Sequence, residues 1–376
     1  MRVLIAGGGT GGHIYPGIVV AQHLQAKGAK VLFVGTKKGM EADIIPRYGF
    51  DFTTISSRYI PRRISPAVFV ALASAGRGFL EAAAIVRDFH PDVVVGMGGY
   101  VAGPMVLMAA FKRVPTLIHE QNAYPGVTNK ILARFVSKVA LGYREAARYL
   151  PAHKVVVTGN PVRPEITKYT REEGRRYFGF ANNKKVLLVA PGSQGARQIN
   201  QAMLDAAEVF HVRQDLQVLH ATGKRQFDDV KEEITRRGGR FDKKEQCCYY
   251  GNYKVVPYIY DMPQAYAAAD LLVGRGGALS SAEITLRGLP ALLVPYPHSA
   301  ENHQLFNARV LEANGAAWVL LDKDVNGNSL SRAVLQLLDA PATLAAMQKA
   351  SHRLGKPEAA DDVLRLICEL AKTKAK

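Results

Sequence analysis

Short apolar runs alternate with longer stretches of helical periodicity along most of the chain. Runs such as Val3-Leu4-Ile5-Ala6 are continuously apolar, which is typical of strands buried on both faces. The stretches between them repeat apolar residues at three- and four-residue spacing and predict helices. In the first half, strands are predicted at residues 3–6, 30–35, 52–55, from 92, and at 116–119, 138–141 and 155–158, with helices including 40–48, 66–89 and 101–112. This alternation predicts an α/β fold with a parallel sheet covered by helices on both faces.

The same alternation restarts after a proline-containing stretch, Gly159-Asn160-Pro161-Val162-Arg163-Pro164. We therefore predict two doubly wound domains, residues 1–163 and 164–354. A terminal helix over 361–371, within a segment of about 355–376, is a candidate to pack back on the first domain. In the second half, strands are predicted at 186–190, 217–220, 254–259, 271–274, 291–294 and 317–321, with helices between them.

Four predicted strands run directly into glycine-rich turns, two in each half of the chain. The first turn, Gly7-Gly8-Gly9-Thr10-Gly11-Gly12, has five glycines in six positions, so its backbone can approach a ligand closely. The others follow the strands that begin near residues 93, 186 and 271. Because ligands of open α/β sheets bind beyond the carboxyl ends of strands, we expect a ligand held between two facing domains.

The charge balance predicts an anionic partner. The 376 residues include 49 basic and 32 acidic side chains, which gives a formal net charge of +17. Nucleic acid, anionic lipid and phosphorylated metabolites all carry the required charge. The sequence has no basic heptad helix, no Cys/His finger spacing and no RNP-like aromatic strand, so we do not expect nucleic acid.

The cysteines and the hydropathy profile bear on location. Cys247, Cys248 and Cys368 form neither a disulfide framework nor a zinc-binding pattern, which favours a reducing compartment. The first strand begins at residue 3, which leaves no room for a signal peptide, and no apolar run reaches the ~18 residues of a membrane span. We expect a protein that is cytosolic or peripheral to a membrane.

Two clusters of polar residues in the first half are candidates for chemistry. His13 follows the first glycine turn, and an imidazole suits a general base near neutral pH; alternatively, it caps the first helix. His119-Glu120-Gln121-Asn122 ends a strand, and Asn129 follows in the next helix. Consecutive hydrogen-bonding side chains at a strand end suit a polyhydroxylated ligand, although a plain polar loop is the alternative.

The second half offers groups suited to a nucleotide. The turn from Ser193 to Arg197 opens a helix and presents backbone N–H groups and a hydroxyl to a phosphate, but it lacks the Walker pattern. Glu283 follows the last glycine turn, where a carboxylate can accept hydrogen bonds from a ribose diol; its alternative role is to face the helix dipole. The polar stretch from Pro295 to Asn307 fits no metal-ligand set, and no Asp-X-Asp follows a strand.

Six motifs in this order resemble glycosyltransferase family 28, in particular its enzymes of peptidoglycan synthesis. Taken together they are far more specific than any one of them, and the resemblance runs from residue 3 to about residue 320. The motifs are Gly7-Gly-Gly-Thr-Gly-Gly-His13, Gly96-Met-Gly-Gly-Tyr100, His119-Glu-Gln-Asn122, Gly159-Asn-Pro-Val-Arg163, Gly192-Ser-Gln-Gly-Ala-Arg197 and Gly274-Arg-Gly-Gly-Ala-Leu-Ser-Ser-Ala-Glu283.

This resemblance implies a GT-B fold of two Rossmann-like domains facing a central cleft, with no cofactor and no metal. It also implies the substrates UDP-N-acetylglucosamine (UDP-GlcNAc) and lipid I, the membrane-embedded undecaprenyl-diphospho-MurNAc-pentapeptide. The acceptor diphosphate would contact Gly9, Thr10, Gly98, Gly99, Tyr100 and Asn129. The donor would contact Thr10, Gly11, Gly12, Asn122, Arg163, Ser193, Tyr258, Ile259, Glu283 and Gln304, with Glu283 on the ribose and the Ile259 backbone on the uracil.

Two departures from the family pattern concern the donor sugar. Gly276 stands where relatives commonly have Ser or Ala, and the loop before Gln304 varies in length. Whether His303 or Gln304 contacts the sugar therefore stays open.

The implied reaction constrains the catalytic groups. The C4 hydroxyl of MurNAc must lose its proton as it attacks the anomeric carbon opposite the leaving UDP, which converts an α donor into a β product. His13 is the first choice of general base and Glu120 the second. The helix start after Gly192 can stabilise the departing UDP without metal.

Three alternatives to this function stay open. One is a GT-B transferase for a diacylglycerol or natural-product acceptor, and the other two are proteins of a different class. A dinucleotide-dependent oxidoreductase would need Gly-X-Gly-X-X-Gly and an acid about 20 residues on, but the second strand ends in Gly35-Thr36-Lys37-Lys38. A pure binding module is disfavoured by the many polar groups expected in one cleft.

The lipid acceptor predicts a peripheral protein on the cytoplasmic face of the cell membrane. The segment from Arg58 to Ile64, followed by Val68-Phe69-Val70 and Leu72, mixes basic and apolar residues suited to an anionic phospholipid surface; the apolar ones alternatively form a helix core face. Cell-wall synthesis proteins are candidate partners.

Overall fold

The computed structural model describes residues 1–57 and 66–374, whose contacts divide the chain into two units. The first unit comprises Met1–Arg163 and Lys356–Lys376, and the second comprises Pro164–Gly355. Residues 58–64, expected above to face a membrane, lie outside the described residues, as do the side chains of Val68, Phe69, Val70 and Leu72.

In the described part of the first unit, seven parallel strands form one sheet in the order β3-β2-β1-β4-β5-β6-β7. The strands are β1 (Arg2–Gly7), β2 (Lys30–Gly35), β3 (Asp51–Thr54), β4 (Val93–Gly98), β5 (Thr116–Glu120), β6 (Lys138–Leu141) and β7 (Val155–Val157). The helices are α1 (Gly11–Ala26), α2 (Glu41–Arg47), α3 (Pro66–Phe89), α4 (Ala102–Phe111) and α5 (Val127–Leu132).

Alternate side chains of β1 enter cores on opposite faces of this sheet. Val3 and Ile5 join a core with α1, whereas Leu4 and Ala6 join one with α4. The last helix of the chain, Ala359–Lys374, contributes Val363 and Ile367 to the α1 core and therefore packs on the first unit. Helices thus cover both faces of β1, as expected for a parallel sheet.

The second unit has a mixed sheet with strands in the order β10-β11-β12-β9-β8-β13-β14-β15, counted over its described residues. The strands are β8 (Lys185–Ala190), β9 (Leu216–Ala221), β10 (Arg240–Asp242), β11 (Cys247–Tyr250), β12 (Tyr253–Val256), β13 (Leu271–Gly274), β14 (Ala291–Leu293) and β15 (Ala317–Val319). The helices are α6 (Arg171–Phe178), α7 (Arg197–Asp205), α8 (Ala207–His211), α9 (Phe227–Arg236), α10 (Met262–Ala268), α11 (Ala278–Arg287), α12 (His303–Ala313), α13 (Gly327–Leu338) and α14 (Pro341–Leu354), and α15 is Ala359–Lys374 of the first unit.

The parallel α/β prediction is confirmed, with one correction at the edge of the second sheet. Strands β10 and β11 are antiparallel and precede β12, in a stretch where only helix was expected. The pattern there is short, and Gly251 at φ +55° provides the turn from β11 to β12. The strands predicted at 254–259 and 317–321 end at Val256 and Val319.

The topology of each sheet determines where its ligand-binding turns meet. The chain winds outward in both directions from β1 and β4 in the first unit and from β8 and β13 in the second. Ligands of such sheets bind at this switch point, beyond the carboxyl ends of the two central strands. All four glycine turns identified in the sequence follow these four strands. None of the helices in the described residues is long and apolar enough to cross a membrane.

Candidate active site

The two glycine turns of the first unit pack directly on each other. Gly9, Gly98 and Gly99 have φ values of +85°, +103° and +79°, which side-chain-bearing residues rarely adopt. A Cβ atom at Gly99 would overlap the carbonyl oxygen of Gly8. The turns after β1 and β4 therefore form one continuous glycine surface, which is half-buried at Gly9 and Gly99.

His13 lies in the first turn of α1 and faces this surface. Its Nδ1 is 3.0 Å from the Gly8 carbonyl oxygen and 3.4 Å from Thr10 Oγ1. Because a carbonyl can only accept, Nδ1 carries the proton in this contact, and the neutral ring has its lone pair on Nε2. The ring lies against Gly98, where a Cβ atom would stand 2.7 Å from His13 Cδ2. The arrangement presents an imidazole acceptor beside the glycine surface, not a cap for the N–H groups of α1.

Glu41 anchors the first glycine turn, a role that the sequence analysis missed. Its carboxylate is fully buried and accepts hydrogen bonds from Gly9 N at 3.0 Å, Thr36 N at 2.9 Å and Thr36 Oγ1 at 2.8 Å. Burial alone would raise the pKa of Glu41, but the hydrogen bonds from Gly9 and Thr36 hold it below its ordinary value. The Gly9 N–H is therefore committed to this carboxylate in this conformation, and the predicted contact of Gly9 with a diphosphate would have to use other atoms of the residue.

Glu120 is enclosed by its own loop. It is 2% exposed, and Oε1 accepts from Asn122 N and Nδ2 at 2.9 and 3.1 Å. Oε2 accepts from Gly126 N and Asn129 Nδ2 at 3.0 and 2.8 Å. Four donors thus occupy this carboxylate, so the geometry argues against Glu120 as a base and makes it the support of the loop.

Asn129 belongs to the same support. It is buried, and its Nδ2 donates to Glu120 and also lies 3.3 Å from the carbonyl oxygen of His119. Both amide hydrogens are used within the loop, so Asn129 cannot donate to a diphosphate in this conformation. Asn122 is only partly buried and stands at the edge of the loop.

His119 is buried beneath the loop and is neutral at physiological pH. Burial, with a smaller contribution from nearby His13, lowers the pKa of His119 to about 4. Its Nε2 donates to the Gly159 carbonyl at 3.0 Å. The side chain therefore ties β5 to the loop after β7, and Arg163, further along that loop, is partly buried.

Tyr100 and Thr10 stand at the exposed rim of the glycine surface. The Tyr100 ring is 43% exposed, and its backbone carbonyl accepts from Ser57 Oγ at 2.9 Å. Its hydroxyl would be 3.5 Å from a Cβ atom at Gly9, which places the ring over the first turn. Thr10 is exposed, and Gly11 and Gly12 occupy the first turn of α1, where backbone N–H groups lack intrahelical partners.

In the second unit, the turn after β8 leads into α7 and leaves Ser193 exposed. Gly192 and Gly195 have φ values of +108° and +74°. Asn200 Nδ2 donates to the Thr222 carbonyl at 2.9 Å and fixes α7 against the loop after β9. The first turn of α7 thus has a tertiary anchor, and backbone N–H groups at a helix start favour negative charge.

A buried histidine, His220, contacts Asn200 of α7. His220 Nε2 is 2.9 Å from Asn200 Oδ1, and His220 Nδ1 is 2.6 Å from the Tyr253 hydroxyl. Burial lowers the pKa of His220 to about 3, so the ring is neutral. It donates through Nε2 and accepts through Nδ1, which satisfies both nitrogens.

The residues predicted to hold the nucleoside follow β12 and β13. Glu283 lies in the second turn of α11, is 7% exposed, and accepts from the Tyr266 hydroxyl at 3.0 Å. Tyr258 and Ile259 lie in the loop after β12, where Ile259 is buried and Tyr258 is partly exposed. The Tyr258 ring packs on Tyr260 at a centroid distance of 4.8 Å.

Gln304 and His303 begin α12, after β14. Gln304 Oε1 accepts from Tyr296 N at 3.0 Å, which turns the amide hydrogens of Gln304 away from that contact. His303 Nδ1 is held 2.6 Å from the Ala300 carbonyl. At Gly276 a Cβ atom would overlap the Gln304 carbonyl oxygen, so any side chain at this position would displace the start of α12.

A divalent-metal site would need a cluster of acidic or imidazole ligands. Over residues 1–57 and 66–374, no group of three or more His, Cys, Asp or Glu side chains could hold a metal ion.

Comparison with known families matches both halves of the chain. The N-terminal domain of glycosyltransferase family 28 matches residues 3–141, and the C-terminal domain of the same family matches residues 186–363.

Curated relatives match over the full length. The chain is 43% identical to the UDP-N-acetylglucosamine–N-acetylmuramyl-(pentapeptide) pyrophosphoryl-undecaprenol N-acetylglucosamine transferase of Halothermothrix orenii, covering 99% of this chain and 100% of that one. It is 45% identical to the enzyme of the same name from Moorella thermoacetica, with 98% of each chain covered.

Solved structures match the chain over nearly its full length. The crystal structure of Acinetobacter baumannii MurG matches with a TM-score of 0.78 and 28% identity, over 98% of this chain and 99% of that one. A UDP-GlcNAc 2-epimerase from Neisseria meningitidis, at 15% identity and a TM-score of 0.68 over 98% and 100% of the two chains, shares the fold.

Proposed function

The chain belongs to glycosyltransferase family 28, and we propose that it transfers GlcNAc from UDP-GlcNAc to the C4 hydroxyl of the MurNAc residue in lipid I, which yields lipid II. The observation that carries this function is full-length identity of 43–45% to curated enzymes of that single name. Natural-product glycosyltransferases match at 17% identity or less, so they support the shared fold and not a different acceptor.

We assign the donor to the second unit. The exposed turn around Ser193 and the start of α7 suit the diphosphate, because unpaired N–H groups and the helix dipole favour negative charge. Glu283 suits the ribose hydroxyls, and the loop of Tyr258 and Ile259 suits the base. Gln304 is the better placed of the two sugar candidates, because His303 Nδ1 already contacts Ala300.

We assign the acceptor diphosphate and the base to the first unit. Thr10 and the turn of Gly98 and Gly99 suit a diphosphate, and we add the backbone N–H groups of Gly11 and Gly12, which were predicted above to contact the donor. His13 Nε2 takes the proton of the C4 hydroxyl as that oxygen attacks the anomeric carbon. The bond to UDP breaks on the opposite face, so the transfer inverts the anomeric configuration. The N-terminus of α7, and not a metal ion, stabilises the departing UDP in this proposal.

We further propose that the first unit rests on the cytoplasmic face of the membrane. Phe111 and Phe135 are 66% and 50% exposed, and their ring centroids are 6.4 Å apart. Exposed Lys112, Arg113 and Arg134 adjoin them in the sequence, which combines apolar anchors with attraction to anionic headgroups. Arg58, Arg62 and Arg63 remain part of this proposal, and cell-wall synthesis proteins remain proposed partners.

The function is tested with UDP-GlcNAc radiolabelled in the sugar and a lipid I analogue. We expect label to move into the lipid phase only when both the acceptor and the chain are present. Label that stays in the aqueous phase with a verified acceptor would overturn the assignment. Omission of the chain controls for uncatalysed transfer.

A further inference from the structure

A single peptide group connects Glu41 to His13. The peptide between Gly8 and Gly9 donates its N–H to Glu41 Oε2 at 3.0 Å. The carbonyl of the same peptide accepts from His13 Nδ1 at 3.0 Å. The order of contacts is therefore carboxylate, peptide N–H, peptide carbonyl and imidazole, with no other group between them.

The carboxylate end of this chain is fixed. Besides Gly9, Glu41 is bound by the backbone N–H and the hydroxyl of Thr36, which follows β2. Its side chain is enclosed by Gly8, Gly35 and Gly39, at each of which a Cβ atom would overlap Glu41 atoms. Three close glycines and three hydrogen bonds therefore hold the Glu41 side chain in place.

We propose that Glu41 is a positioning residue for the general base, acting on His13 through the Gly8–Gly9 peptide. The negative charge polarises that peptide and makes the Gly8 carbonyl a stronger acceptor, because hydrogen bonds in a chain strengthen one another. The stronger acceptor keeps the proton on Nδ1 and the lone pair on Nε2, and it stabilises the ring after Nε2 has taken the acceptor proton. Glu41 itself remains ionised throughout.

A carboxylate often orients a catalytic imidazole by a direct hydrogen bond, whereas Glu41 acts on His13 through one peptide group. A directly bonded carboxylate fixes the tautomer and stabilises the imidazolium in hydrolase triads. Here the glycine turn occupies the position beside Nδ1, so the same effect must pass through the backbone. This inference rests on the proposed function, because it assumes that His13 is the base.

A double-mutant cycle tests the proposal. Glu41→Gln keeps the side-chain volume and one acceptor oxygen but removes the charge. We expect kcat to fall about 10–100-fold, the scale for an outer partner of a functional histidine, with the KM for UDP-GlcNAc and the Kd for UDP unchanged. In a His13→Ala background, whose residual transfer is followed by prolonged radiolabel incubation, Glu41→Gln should change kcat by less than about twofold, because the group it acts on is gone.

Asp92→Asn is the matched control, because Asp92 accepts the Arg2 backbone N–H at 2.7 Å at the opposite end of β1. It should leave kcat unchanged. If Glu41→Gln does not fold, Glu41→Asp replaces it in the cycle, since it keeps the charge but draws the carboxylate back from the Gly9 N–H; a smaller fall that also disappears without His13 is then expected. Equal losses of kcat with and without His13, or no loss in the wild-type background, would overturn the proposal. Failure of the wild-type chain to transfer GlcNAc would instead overturn the proposed function.

Discussion

Replacing His13 by Asn removes the proton-accepting Nε2 and keeps a donor to the Gly8 carbonyl. The Asn amide nitrogen stands close to where Nδ1 stands in histidine, so it can still donate to the Gly8 carbonyl, whereas nothing replaces Nε2. His13→Ala removes both the acceptor and the Gly8 contact. Comparison of His13→Asn with the wild type measures the loss of proton transfer, and comparison of His13→Ala with His13→Asn measures the hydrogen bond to Gly8.

The expected losses differ in size. Removal of a general base typically costs about 10²–10⁴ in rate. This corresponds to roughly 2.7–5.5 kcal/mol of activation free energy. The Gly8 contact is a neutral hydrogen bond worth about 1 kcal/mol, so Ala should be at most about tenfold slower than Asn.

The assay is kcat with saturating UDP-GlcNAc and a soluble lipid I analogue, with UDP affinity measured by calorimetry as the control. Both variants should bind UDP like the wild type, because the base acts on the acceptor hydroxyl. Turnover of His13→Asn within threefold of the wild type, at intact UDP affinity, would refute the reasoning.

Three other outcomes are expected. Glu283→Ala should raise the KM for UDP-GlcNAc and the Kd for UDP together by about 10–100-fold with little change in kcat, because both ligands share the ribose. Glu208→Ala, which loses a similar hydrogen bond from Tyr250 on the surface, is the control. Normal UDP binding by Glu283→Ala would contradict a role of Glu283 in ribose binding. Activity should survive EDTA, whereas a loss that Mg²⁺ restores would show a metal requirement. Phe111→Ser with Phe135→Ser should weaken cosedimentation with anionic vesicles at least about tenfold, and Val212→Ser on the second unit should not; equal binding would remove this patch from the membrane face.

Hydrophobic periodicity was sufficient for most of the fold. The strands predicted at 30–35, 138–141 and 271–274 match β2, β6 and β13, because each is an almost uninterrupted apolar run, and the helix predicted at 66–89 matches α3, because its helical period extends over many residues. The hairpin of β10 and β11 was missed because β10, Arg240–Asp242, has one apolar residue between two charged ones, and β11 follows it after a polar turn without a period of its own.

The sequence predicted the site residues that directly follow a strand. It did not predict the contacts that form between side chains and turns far apart in the sequence. His13 and the glycines of both turns stand directly after β1 and β4, so their meeting follows from the topology. Glu41 stands 28 residues after His13, and its contact with Gly9 depends on β2 lying beside β1. Glu120 was the second choice of general base because the sequence cannot reveal that four donors surround its carboxylate.

Donor selectivity tests the central claim most directly. The kcat/KM for transfer to a lipid I analogue is measured with UDP-GlcNAc, UDP-glucose and UDP-galactose under identical conditions. A site built for the acetamido sugar should prefer UDP-GlcNAc by at least about tenfold, since unmatched polar groups in a sugar pocket are costly. Equal use of UDP-glucose or UDP-galactose would contradict the assignment of this chain as the lipid I GlcNAc transferase.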